Sequence, residues 1–210
     1  MAAAERTARR KAVRDFKRAA IVDAAKRVFA EHGLDGASIR LIARAAGYTP
    51  GAIYFYFPGK EHIYGDILSE SLAALGRAVK DAAAEAPDGE ARLRAAARAF
   101  FVYYRDHPDE LELGFYLFQG IRHRGLTPEL DRQLNGRLIA VLRVLAAAVR
   151  EFGRLDETAA NLETVATASH LVGILLMDKS GRLKTLGFAG ETLVDHAIGV
   201  LVERLRERNI

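Results

Sequence analysis

One stretch of the chain, Gly36 to Lys60, gathers the side chains suited to holding a charged polymer. Ser38, Thr49, Tyr54 and Tyr56 bring hydroxyls, Arg40 and Lys60 bring positive charge, and Thr49-Pro50-Gly51-Ala52 is a run of small residues. Hydroxyls and cations suit phosphate oxygens, and a run without bulky side chains lets the backbone come close to another surface. Bond-making chemistry has no comparable set. The absence of cysteine removes thiolate zinc sites, iron–sulfur clusters and a cysteine nucleophile. The six histidines show neither HxxxH nor HExxH spacing, and no GxGxxG, GxSxG or Walker A loop is present, Gly59-Lys60 being followed by Glu61. Asp195 and His196 are neighbours on a helical pattern and point apart. No enzyme, metal or cofactor is expected.

Helices must position these residues, because apolar spacing is helical almost throughout and strand-like alternation is nearly absent. Ile21, Ala24, Ala25, Val28 and Phe29 form a first stripe that stops at His32-Gly33. Ser38 caps a short second helix, Ile39 to Ala46, which ends at Gly47. Thr49 caps a third with Pro50 in its first turn, where the missing N–H costs nothing. Two short helices with a tight turn at Gly47 make a helix-turn-helix: the first braces on phosphates and the tip of the second enters a groove. A long helix begins at Lys60 and breaks at Pro87-Asp88-Gly89. Further helices are expected up to His107-Pro108, over Asp109–Gln119, from Pro128 to Phe152, from Asp156 to Lys179, and from Gly190 to Arg208. The sum is nine helices, an all-α chain without a sheet.

Charge is distributed unevenly. Residues 1–60 hold twelve Lys and Arg against five Asp and Glu; the other 150 hold nineteen against twenty-two. A basic head on a slightly acidic body points to a polyanionic partner. Met1 to Ala20 is basic and alanine-rich but lacks the apolar core of an export signal, and the longest apolar run, Leu171 to Met177, falls short of the ~18 residues of a membrane span. A cytoplasmic chain with no membrane partner is expected.

The pattern Ser38, Ile42-Ala43, Ala46-Gly47, Thr49-Pro50-Gly51, Tyr54, Phe57, Lys60-Glu61, together with Ile21, Ala24, Phe29 and Gly33 ahead of it, resembles the DNA-binding domain of the TetR (tetracycline-repressor-like) family of bacterial transcriptional regulators. The likeness covers about residues 17–65. It implies a homodimeric, ligand-responsive regulator, a repressor bound to a palindromic operator in double-stranded DNA. By that resemblance Ser38 contacts a phosphate, and Arg40 reaches a guanine edge or a phosphate. Thr49, Pro50, Gly51 and Ala52 form the base-proximal surface, with Tyr54, Tyr56 and Lys60 as the phosphate clamp. The base-facing surface has few polar tips, so apolar contact with thymine methyls and DNA shape carry more of the readout. A core tyrosine at 54 and a merely solvated Arg40 are the competing readings. Residues 1–16 read as a flexible basic arm that tracks phosphates or enters a minor groove, or as a tail without a contact. Residues 17–64 then form the DNA-binding domain and 65–210 the effector-binding and dimerisation domain.

The last two helices are apolar on more than one face, which asks for more than one partner. Leu162, Val165, Ser169, Val172 and Leu176 on the first, with Val194, Ile198, Leu201 and Leu205 on the second, are the expected dimer interface, a four-helix bundle across a two-fold axis. Aromatics cluster between Phe100 and Phe118. Most read as core, but the resemblance implies an apolar effector cavity in this body, for which Phe100, Tyr104, Phe115, Phe118, His170 and Met177 are the candidates. His170 reads either as a ligand contact or as a satisfied core histidine.

Overall fold

The computed structural model describes residues 2–116 and 126–208, and all regular structure among them is helical. Ten helices follow in order: α1 (Ala2–Gly36), α2 (Ile39–Ala46), α3 (Pro50–Tyr54), α4 (Lys60–Ala84), α5 (Gly89–Asp106), α6 (Pro108–Tyr116), α7 (Pro128–Gly153), α8 (Glu157–Lys179), α9 (Arg182–Thr185) and α10 (Gly190–Glu207). The chain divides into two compact units, Met1–Glu70 with Glu112–Leu134, and Ser71–Leu111 with Asn135–Ile210. The boundaries between them fall inside α4, α6 and α7 rather than at loops.

Two elements differ from the sequence reading. The segment expected to be a flexible arm is helical, because its alanines favour a helix and α1 already supplies the nucleus from which it extends. The tenth helix is α9, a single turn between Gly181 and Gly187, both at positive φ. Four residues are too few for an apolar period to show.

In the first unit, Ile21, Ala24, Ala25, Val28 and Phe29 of α1 are buried with Ile39, Ile42 and Ala43 of α2, Ile53 of α3 and Phe57 after it. Gly33 breaks α1 with φ 68°, as the sequence places it. Phe29 meets the edge of Tyr64 with ring centroids 5.4 Å apart, and the Tyr64 hydroxyl donates to the Leu113 carbonyl. In the second unit α8 packs against α5 and α10. Its core includes Leu93, Ala97, Phe100, Phe101, Leu171, Leu175, Val194, Leu201 and Leu205. Ion pairs lace α5 to α10: Arg98 to Asp195, Arg105 to Glu191 and Arg206 to Glu90.

Candidate nucleic-acid interface

The α2–α3 unit is set by its caps. The Ser38 hydroxyl oxygen accepts from Leu41 N at 3.2 Å and the Thr49 hydroxyl oxygen from Ala52 N at 3.2 Å. Each therefore satisfies one of the donors that a helix start leaves open, and each keeps its own O–H to give elsewhere. Gly47 ends α2 at φ 72°, a left-handed position that glycine fills without strain, and its N–H returns to the Ala43 and Arg44 carbonyls. The two-residue link Tyr48-Thr49 then leads straight into Pro50 at the head of α3.

Ile53 and Phe57 fix α3 from below, which leaves its other side outward. Thr49, Pro50, Gly51, Arg40 and Tyr54 are exposed; Ser38, Ala52 and Tyr56 are half-buried. Tyr54 is 58% accessible, which removes the core reading for it. A Cβ built on Gly51 meets nothing within 4 Å, so nothing inside the chain requires glycine there. The sequence reading passed over Phe55, which is 74% accessible and stands edge-on to Tyr56 with centroids 5.1 Å apart. It also passed over Arg44, exposed on α2. The signal for Phe55 was available: with Ile53 and Phe57 inward, the residue midway between them must turn outward.

Lys60 is placed otherwise than a phosphate clamp would have it. Its ammonium donates to the carbonyls of Leu34 (2.7 Å), Ala37 (3.0 Å) and Asp35 (3.3 Å), tying the start of α4 to the end of α1 and the residue after it. Arg18 similarly pairs with Asp66 and lies over the Phe57 ring, 4.9 Å from its centroid.

In the second unit the expected interface residues part company. On α8, Leu162, Val165, Ser169 and Leu176 are exposed along one face and Val172 is half-buried. On α10, Val194, Ile198, Leu201 and Leu205 are buried in this chain's own core; the outward residues there include His196, Val200 and Glu203. Among the described residues α8 is the one helix long and apolar enough to cross a membrane by length and composition, with only a third of that stretch buried. Its apolar residues lie on two faces, Leu171, Ile174 and Leu175 buried and Leu162, Val165 and Leu176 exposed. Buried Glu163 on its inner side pairs with Arg204, and lies 3.7 Å from Arg208.

The effector candidates also separate. Phe100 and Tyr104 are buried, with centroids 5.3 Å apart in an edge contact. His170 and Met177 are exposed on the same side of α8 as Leu162, which removes the core reading of His170. Phe118 and the Phe115 side chain lie outside the described residues. An open hollow of ≈ 270 Å³ is lined by Tyr104, Arg105, Pro108, Leu111, Leu175, Asp178 and Lys179. Burial, then the Glu110 carboxylate, push the Tyr104 hydroxyl up to about 12. Burial also raises that of Tyr103, which donates to Glu110 at 2.6 Å. No group of three or more metal-binding side chains occurs among the described residues.

Residues 21–67 match the bacterial regulatory proteins of the tetR family. The HTH-type transcriptional repressor NicS of Pseudomonas putida is 29% identical over 137 residues, which is 64% of this chain and 63% of that protein. The chain spans under two thirds of the length of the curated relatives it first matches. In overall fold it is similar to a tetR-family regulatory protein from Rhodococcus RHA1, with TM-score 0.74 and 19% identity over 90% of this chain and 96% of that one. It is similar too to FadR from Bacillus subtilis in complex with stearoyl-CoA, with TM-score 0.67 and 20% identity over 87% and 96%.

Proposed function

Because the chain belongs to the tetR family of bacterial regulatory proteins, we propose that it is a cytoplasmic repressor. In this reading a homodimer occupies a palindromic operator and a small, largely apolar effector releases it. The observation that carries the reading is the α3 tip: a short helix capped by Thr49 and entered through a tight turn, whose leading residues are small, with Thr49, Pro50 and Gly51 exposed and no atom within 4 Å of a Cβ placed on Gly51.

Thr49, Pro50, Gly51 and Ala52 meet base edges, with Arg40 beside them, and Phe55 adds an apolar surface for thymine methyls. Ser38, Tyr54 and Tyr56 direct hydroxyls at phosphates. Lys60 serves chiefly by holding the α1–α4 junction, with its charge as a secondary attraction. The exposed α8 face pairs with its copy across the two-fold axis, which spaces two α3 tips by about 34–36 Å along the duplex. The effector enters at the hollow beside Tyr104, where Leu111, Leu175 and Pro108 supply the apolar surface and Arg105, Lys179 and Asp178 a charged rim. The stearoyl-CoA seen in one similar fold accords with that amphiphilic lining. Binding there shifts the course of α4, which both units share, and so the separation of the two heads.

The test is selection of bound duplex from a random pool, followed by measurement of affinity at fixed salt with and without fatty acids and their thioesters. Recovery of a palindrome and its loss of affinity with ligand support the reading. No enriched sequence, or an affinity indifferent to every ligand that saturates the body, overturns it.

A further inference from the structure

We propose that the N-terminal extension of α1 is a second DNA-binding element, which lays one basic face along the phosphate backbone beside the site that α3 reads. The extension runs as helix from Ala2 to the buried part that begins at Ile21, and every side chain from Glu5 to Ala19 is exposed. At 100° per residue Arg6, Arg10, Arg14 and Lys17 fall within one quarter of the helix circumference, with Val13 beside them and Arg9 on the flank. Glu5 and Asp15 fall on the other side with Ala8, Ala12 and Ala19. Among the described residues none of those four cations has an ion-pair partner, whereas Arg18, one residue on, pairs with Asp66. Unpaired charge kept to one face of a helix whose side chains are exposed is not a packing feature.

Phase decides where that face looks. The same quarter of α1, followed toward its C-terminus, is the one that buries Ile21, Ala24, Ala25 and Val28, and α1 packs there against α2. The basic stripe is thus the core-facing stripe of the helix prolonged past the edge of the head, so it overhangs on the side of the helix-turn-helix. From Arg6 to Lys17 it is ~16 Å long, enough to follow about five base pairs of backbone. A lipid surface fits less well, since outside the basic stripe the exposed large apolar side chains among the described residues of the extension are only Phe16 and, at the stripe's edge, Val13, set beside Glu5 and Arg9, where insertion needs a broad apolar face.

This inference rests on the DNA-binding reading, and the experiment separates the two. The full chain and the variant R6Q/R10Q/R14Q/K17Q are titrated with the duplex recovered from the random pool, and with a random duplex of equal length, between 50 and 200 mM salt. Each lost phosphate contact flattens the slope of log affinity against log salt by about 0.9. The variant is expected to select the same sequence, to lose hydroxyl-radical protection only on the flanks, and to flatten the slope by about 3 or more. R6K/R10K/R14K, which keeps the charge, retains the original slope and flanks. An unchanged slope and footprint in the glutamine variant overturns the inference while leaving the operator reading intact. Anionic phosphatidylserine vesicles titrated in parallel give the other arm, and a loss confined to them overturns the inference as well. If the full chain enriches no sequence, the operator reading fails, and the slope on random duplex still judges the extension.

Discussion

Gly51 and Lys60 show how little a residue type says without its neighbours. Gly51 sits where an added side chain would meet only solvent, at an ordinary helical φ, so the fold does not require it. Gly51→Leu is therefore expected to leave the melting temperature of the head within about 2 °C, since exposed substitutions away from special features seldom exceed ±0.5 kcal/mol. Operator affinity is expected to fall at least tenfold, because the leucine occupies the space the duplex must enter. Equal loss of folding and binding would return Gly51 to a structural role. Lys60 behaves in the opposite way. Its three carbonyl partners make it part of the head's architecture, and charge-assisted bonds are worth about 1.5–3 kcal/mol where water does not compete. Half-exposure lowers that figure, so Lys60→Met should cost about 1–2 kcal/mol in urea unfolding. Tyr54→Phe removes only a hydroxyl from an exposed ring. Its expected signature is a several-fold loss of affinity, equal on all sequences, with no change in stability. The caps at Ser38 and Thr49 could be read directly from sequence because capping is local chemistry between a side chain and the third residue on. The Lys60 contacts could not, since they reach back more than twenty residues.

Element by element, the helices were legible where one apolar stripe meets one stop signal, as in α1 at Gly33, α2 at Gly47 and α5 at His107. The pattern fails where a helix has two partners, because both faces are then apolar and the sequence cannot say which is which. On α8 the outward face is Leu162, Val165 and Leu176, while the inward one holds Glu163 and Thr164, polar residues that would read as solvent-facing. Glu163 tolerates burial through Arg204, and Thr164 by donating to the Ala160 carbonyl at 2.7 Å. On α10 the residues expected at the interface are buried within the chain itself. Paired substitutions separate the roles: Val165→Asp should shift the chain to a monomer by light scattering at unchanged secondary structure. Ile198→Asp, 2% exposed, should cost about 3–5 kcal/mol and unfold the body. On α5, Tyr104 adds an alkaline limit. Its hydroxyl titrates at about 12 in the folded chain against about 10 when unfolded, so its contribution is complete below pH 10 and is lost as pH rises through 12. Tyr104→Phe should flatten the fall in stability across that window and leave neutral pH nearly untouched.

At the scale of the whole molecule the proposed function requires that an effector in the hollow of one unit alter the grip on DNA of the other. An effector moves the equilibrium only by the difference in its affinity for the DNA-competent and released forms, however tightly it binds. Taking occupancy from about 99:1 to 1:99 needs roughly 10⁴ in that difference, or about 5.5 kcal/mol. A two-fold dimer with one site per subunit divides the demand, so about 100-fold per site suffices, and release should rise more steeply than a single-site curve. The hollow beside Tyr104 is small, ≈ 270 Å³, and carries Arg105 and Lys179 on its rim. A long acyl chain must therefore open it further, and that opening is where differential affinity can arise. Pro108, half-buried at its edge, gives the means of testing this without touching the core. Pro108→Trp closes the mouth with a bulky ring. If opening the hollow drives release, the variant holds its operator as tightly as the original chain without ligand, yet needs at least tenfold more acyl ligand for half-release. A variant that releases at the original concentration would move the effector elsewhere in the body, and one already weak on DNA without ligand would show that the closed hollow is not the DNA-competent form.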